Sequence, residues 1–217
     1  MSPVTGGRRP GAAITTVVFD LGGVLIDWDP SHLYRQLLAG DEEVDRFLEE
    51  VGFAAWNHQV DAGASTWADA VEALALEHPH HRALIAAYPA RFAETLVGAI
   101  EGSVEVLHEL DAQGVRLLAL TNWSAETFPV ARERFDFLEV FDGIVVSGEE
   151  GVAKPDAAIF EILIDRHGLG PAATVFVDDR QANLDAAQDA GFVGLLFTSP
   201  ERLRTDLVSA GVLRRRP

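Results

Sequence analysis

Apolar positions along the chain fall into two spacings. Residues 14–19, 115–120, 144–146, 174–177 and 193–197 form five short, nearly continuous apolar runs. Most are rich in β-branched or aromatic residues, as expected of strands buried on both faces of a parallel sheet. Between the later runs the spacing becomes helical. Ile159, Phe160, Leu163 and Ile164 form a stripe that Pro155 opens and Gly168 closes, and another runs through Leu184 and Ala187 to Gly191. Strands alternating with helices predict an α/β fold built on a doubly wound parallel sheet.

The interval 29–98 predicts helices and no strand. Val44, Phe47, Leu48 and Val51 follow amphipathic helical spacing, and Thr66 with Asp69 forms a capping box ahead of Trp67, Val71 and Leu74. About seventy residues is too long for one crossover, so 29–98 is expected to be an inserted helical unit. It divides a core made of 14–28 and 99–217, preceded by a flexible segment at 1–13.

Composition narrows the function. The 217 residues are 48% hydrophobic and 24% charged, within the range of globular chains. Seventeen Lys and Arg against 34 Asp and Glu give a formal charge of -17, a field that repels phosphate backbones and argues against a nucleic-acid partner. Arg8-Arg9 and the arginines at 214–216 read as solubilising tails. Without cysteine there is no disulfide, thiolate nucleophile or Cys-ligated zinc. No signal peptide is read at the start, and no apolar run approaches the ~20 residues of a membrane helix. The expectation is a cytoplasmic monomer or homodimer without a membrane partner.

Open α/β sheets bind ligands at the carboxyl ends of their strands. The first run ends in Asp20-Leu21-Gly22-Gly23, the second in Thr121-Asn122 and the fourth in Asp178-Asp179, while Lys154 follows the third. Singly these are turn formers, caps or a surface lysine. Together they would meet along one sheet edge as a reactive constellation, and adjacent carboxylates at a strand end repel unless solvent or a cation relieves them.

The segment Val17-Val18-Phe19-Asp20-Leu21-Gly22-Gly23-Val24-Leu25 resembles the first motif of the haloacid dehalogenase-like hydrolases. Leu118-Ala119-Leu120-Thr121-Asn122 resembles their second, Lys154-Pro155-Asp156 their third, and Val175-Phe176-Val177-Asp178-Asp179 through Asn183 their fourth. The helical insertion is similar to the cap of one subfamily. The resemblance implies a phosphatase using Asp20 as nucleophile, with Mg2+ held by Asp20, the Gly22 carbonyl and Asp179. Lys154 would pair with Asp20 and the phosphoryl oxygens. Thr121 and the backbone N–H groups of Leu21, Gly22 and Asn122 would cradle those oxygens, with Asp178 and Asn183 orienting their neighbours. The implied substrate is a small phosphomonoester, a sugar phosphate among the candidates.

One position departs from that pattern. The family's phosphatases usually carry an acid–base Asp two residues after the nucleophile, where this chain has Gly22. Asp27, Asp29 and His58 are the candidates to supply the role, although both aspartates are first expected to cap a helix beginning near Ser31. Trp56 and His58 are candidate substrate contacts from the cap. His78-Pro79-His80-His81 reads as an exposed turn rather than a metal site. A 2-haloacid dehalogenase using the same Asp, and a phosphate-binding protein without catalysis, are the rival readings.

Overall fold

The computed structural model of the chain describes residues 13–214. The expected N-terminal segment, apart from Ala13, and Arg8, Arg9, Arg215 and Arg216 lie outside the described residues. The first run becomes β1 (Thr16–Phe19), and the chain then turns into β2 (Ile26–Trp28). Five helices follow: α1 (Pro30–Tyr34), α2 (Asp41–Glu50), α3 (Phe53–Asp61), α4 (Trp67–Glu77) and α5 (Arg82–Ala90). Next come β3 (Leu96–Ala99), α6 (Glu101–Ala112), β4 (Arg116–Thr121), α7 (Phe128–Arg134), β5 (Gly143–Val146) and α8 (Ser147–Glu150). The chain ends through α9 (Ala157–His167), β6 (Thr174–Asp178), α10 (Gln181–Asp189), β7 (Val193–Leu196) and α11 (Pro200–Ser209).

Each apolar run supplies one strand of a parallel sheet ordered β5-β4-β1-β6-β7. The runs of the inner strands lack alternation because both faces are covered, whereas the edge strand β7 leaves Val193 and Leu196 exposed. Val17 and Phe19 join an apolar cluster with Leu107 and Leu110 of α6 and Leu207 of α11. Val18, Leu118 and Phe176 pack on the opposite face against Phe160 and Leu163 of α9 and Leu184 of α10. Each fully buried side chain of this size contributes about 1.5–3 kcal/mol. The strand order reverses at β1, which pairs with β4 on one side and β6 on the other, and such a switch point opens a crevice above the strand ends.

Two expectations are corrected here. Pro155 does not open α9; it lies in the preceding turn, and Asp156 caps the helix by accepting the Ala158 N–H at 2.9 Å. Gly168 does close it, at φ 60°. The interval 29–98 is not purely helical either, since β3 begins at Leu96 and pairs antiparallel with β2, Ile26 opposite Ala99 and Asp27 opposite Gly98. This ribbon carries the chain into and out of the helical unit, and the Asp29 N–H extends it to Thr95 O at 3.0 Å.

Within the helical unit Val44, Phe47 and Val51 are buried, with Leu48 partly so. Thr66 caps α4, its Oγ1 accepting the Asp69 N–H at 3.1 Å. Asp29 caps α1 through the Ser31 N–H at 2.7 Å. Asp27 does not cap; it is half exposed and lies 3.3 Å from His32. Residues 79–81 form a short turn in which His80 and His81 reach Glu50, at 2.9 and 3.2 Å.

Candidate active site

Strand register gathers the reactive residues. Phe19 lies opposite both Ala119 and Val177, so one step further the chain delivers Asp20, Leu120 and Asp178 side by side. After Asp20 the backbone folds tightly, the N–H groups of Leu25 and Ile26 both donating to Leu21 O at 2.8 and 2.9 Å. Gly23 has φ +76°, and a Cβ there would stand 2.7 Å from Asp179 Oδ2. Only glycine lets this loop lie against Asp179.

Lys154 is the centre of the charge cluster. Its buried ammonium lies 3.0 Å from Asp20 Oδ1 and 2.8 Å from Asp178 Oδ2, and donates to Leu120 O at 2.8 Å. All three of its donors are engaged. Asn122 fixes the lysine backbone from both sides, accepting the Lys154 N–H at 2.9 Å and donating to Lys154 O at 2.8 Å. Asp178 also accepts from the Arg180 N–H at 2.9 Å and from Asn183 Nδ2 at 2.9 and 3.1 Å. It is completely buried and fully bonded, an anchor for Lys154.

The cluster holds excess negative charge. Asp20, Asp178 and Asp179 bring carboxylate oxygens within 4.8 Å of one another, against the one ammonium. Burial pushes Asp20 up to about 7; Lys154 pulls it down, and Asp178 adds to the rise. Burial and Asp178 likewise raise Asp179. Burial opposes the charge on Lys154, but Asp20 and Asp178 outweigh it and hold the ammonium above its ordinary value. An all-oxygen donor set with surplus anionic charge fits a hard divalent cation such as magnesium. Because Asp178 is already satisfied, Asp20 and Asp179 are the side chains left to hold it.

A cavity of about 400 Å³ opens above these groups. Asp20, Gly22, Thr121, Asn122, Lys154, Asp179 and Asn183 all line it. Its walls are aromatic: Trp28, Phe53, Tyr88, Phe92 and Trp123. From α3 it receives Asn57, His58 and Asp61. The structure therefore brings His58 to the cavity but not Trp56. That expectation is corrected: Trp56 is buried in the helical unit, its Nε1 donating to Ala70 O at 3.0 Å and its ring 5.0 Å from that of Trp67. Leu21 is fully buried and does not line the cavity, and its N–H donates to Asp20 Oδ1 at 2.7 Å. Neither Asp27 nor Asp29 lines it.

Asp61 escaped the sequence reading. Burial pushes its carboxyl up to about 8, against the opposing pull of the Ser124 N–H and the Asn57 side chain. Tyr88, beside it, is raised well above its ordinary value by its own burial and by Asp61. The available signal was helical spacing, since Asp61 lies one turn beyond Asn57 and His58.

A family model described as haloacid dehalogenase-like hydrolase matches residues 14–191. The chain belongs to that family. It is thus an enzyme of the haloacid dehalogenase-like hydrolases. A sesquiterpene phosphatase of Aspergillus oryzae is 32% identical over 188 residues, covering 83% of this chain and 88% of that protein. A phosphoglycolate phosphatase of Pseudomonas putida is 28% identical over 202 residues, 87% of this chain and 71% of its own. A haloacid dehalogenase family enzyme from Bacteroides thetaiotaomicron shares the fold, with TM-score 0.68 and 20% identity over 86% of this chain and 95% of that one. Among the described residues no helix is long and apolar enough to cross a membrane.

Proposed function

We propose that this hydrolase cleaves a phosphomonoester whose alcohol portion is apolar, with magnesium, through a phosphoaspartate on Asp20. The observation that carries this reading is the Asp20–Lys154–Asp178–Asp179 cluster at the floor of an aromatic-walled cavity. Lys154 and the Leu21 N–H both engage Asp20 Oδ1, leaving Oδ2 to attack phosphorus. Asp20 and Asp179, beside Gly22, would hold magnesium, which would supply the positive charge that lets two anions approach. Thr121 and Lys154 line the same floor, where the phosphoryl oxygens would lie, and Asn122 holds the Lys154 backbone in place.

The walls favour an apolar alcohol over a sugar. Sugar hydroxyls buried against Trp28, Phe53, Phe92 and Trp123 would lose water at about 1–3 kcal/mol for each one left unpaired. A terpenol would gain from the same contact. The similarity to a sesquiterpene phosphatase supports this choice. The test is a panel of farnesyl phosphate, a hexose phosphate, 2-phosphoglycolate, p-nitrophenyl phosphate and a 2-haloacid, assayed with magnesium and with excess chelator. Farnesyl phosphate should give the highest kcat/KM, and only with the metal. Halide release in chelator would establish the dehalogenase instead, and no turnover of any member would leave a phosphate-binding protein.

A further inference from the structure

We propose that Asp61 is the general acid and base of this hydrolase, supplying from the helical unit the carboxyl that Gly22 lacks. The assignment rests on phosphomonoester hydrolysis at Asp20. In-line displacement expels the alcohol opposite the attacking oxygen. Asp20 attacks from the sheet edge, so the leaving oxygen faces the helical unit, and α3 brings Asp61 to that side of the same cavity.

Two features keep a proton on Asp61, against the pull of the Ser124 N–H, and a third lets it cycle. It is the last residue of α3, and the negative end of a helix disfavours an anion. It is only partly exposed, and withdrawal from water favours the neutral form. Asn57, four residues earlier, lies 2.6 Å from Asp61 Oδ2, and Asn57 Oδ1 is buried without a partner. That separation is below the usual N–H···O range and within that of O–H···O. In one orientation of its amide Asn57 donates to the carboxylate, and turned over it accepts from the protonated carboxyl. One side chain thus serves both states of an acid that must cycle.

The chemistry balances. Asp20 Oδ2 forms its bond to phosphorus as the phosphorus–alcohol bond breaks, and the Asp61 proton passes to the departing oxygen. The Asp61 carboxylate then takes a proton from water as the water oxygen bonds phosphorus and the Asp20–phosphorus bond breaks. Orthophosphate leaves and Asp61 is again an acid. The titratable and charged groups facing it are Tyr88 from α5, His58 on α3, and Asp20, Lys154, Asp179 and Arg180 across the cavity.

The experiment is a leaving-group series, from 2,4-dinitrophenyl phosphate to a primary alkyl phosphate, with wild type, Asp61→Asn and the double variant Asp61→Asn with Gly22→Asp. Wild-type kcat/KM for the alkyl ester should fall above pH about 8, whereas the dinitrophenyl ester, which needs no acid, should lack that limb. Asp61→Asn should slow the alkyl ester about 10²–10³-fold and the dinitrophenyl ester far less. A Cβ at Gly22 meets nothing within 4 Å, so the added Asp in the double variant should restore at least about tenfold of the alkyl rate. An equal loss across the series with no rescue would overturn the proposal, as would a wild-type pH limb shared by both esters. Because the wild-type profile needs no substitution, a variant that fails to fold does not decide the matter. Failure of the phosphatase reading looks different: wild type itself would turn over no ester.

Discussion

Asp61 makes a prediction that does not depend on turnover. Its carboxyl moves from 3.8 to about 8 on folding, so the folded protein holds a proton that the unfolded chain releases above pH about 4. The folded pKa is the raised one. Stability from this group is therefore complete below the unfolded value and lost as pH rises toward 8, at about 1.4 kcal/mol per pH unit. Asp61→Asn is neutral at every pH and has no such slope. Between pH 5 and pH 7 the variant should gain about 3 kcal/mol on wild type. For a chain of this size that is about 5–10 °C in Tm. The assay is thermal unfolding of both proteins in magnesium buffer at pH 5, 6 and 7, taking the difference at each pH so that the other carboxylates cancel. A Tm difference that stays constant across the three values would refute the reasoning, because the carboxyl would then be as acidic in the folded protein as in the unfolded chain.

Three further outcomes are expected. Asp20→Asn should lower turnover by about three or more orders of magnitude while still binding inorganic phosphate with magnesium by calorimetry; turnover near the wild-type rate would remove Asp20 as nucleophile. Lys154→Met leaves Asp20 and Asp178 without their buried cation and should cost about 3–5 kcal/mol, measured by urea unfolding, with a smaller loss at pH 5 than at pH 8 because Asp20 then takes up a proton. Magnesium at about a hundred times its Kd should stabilise wild type by about 2.7 kcal/mol, and Asp179→Ala should abolish both that rise and turnover; a rise that survives in the variant would place the metal elsewhere.

The sheet was legible because both faces of its inner strands are buried, which turns each of them into a short unbroken apolar run. The ribbon was not. β3 has four residues, Val97 is 54% exposed and Gly98 contributes no side chain, so no period survives to be read. The charge cluster was legible from strand ends alone, since parallel strands must deliver Asp20, Thr121 and Asp178 to one edge. Side-chain direction on α3 was not. Trp56 and His58 are two residues apart, hence on different faces of the helix, and sequence alone does not say which face meets the sheet. Asp61 reads locally as a carboxylate at a helix end, solvated like many others. What changes its chemistry is a wall of residues from α5 and from the loop after β4, distant in sequence.

The contacts that bury Asp61 also place it. Ser147 Oγ donates to Asp61 O and accepts the Trp123 N–H at 2.9 Å, so the end of α3 is tied to the loop that leaves β4. Glu126 on that loop accepts the Trp67 N–H at 2.8 Å, holding the start of α4. Gly148 permits the approach, since a Cβ there would stand 2.5 Å from Ala125 N and 2.8 Å from Trp123 O. The same loop begins at Asn122, which lines the floor with Thr121 and clamps Lys154. Asp20, just past β1, and Asp61, at the end of α3, are thus both tied to the carboxyl end of β4. Short polar contacts join the helical unit to the core here, beside the packing of Phe92 on Trp123. With Asp61 as the acid proposed above, Phe53, Tyr88 and Phe92 of the helical unit would be free to differ with the alcohol they receive, whereas Trp28 and Trp123 belong to the core. On that proposal the chemistry stays constant as specificity changes, and the usual acid position can be a glycine.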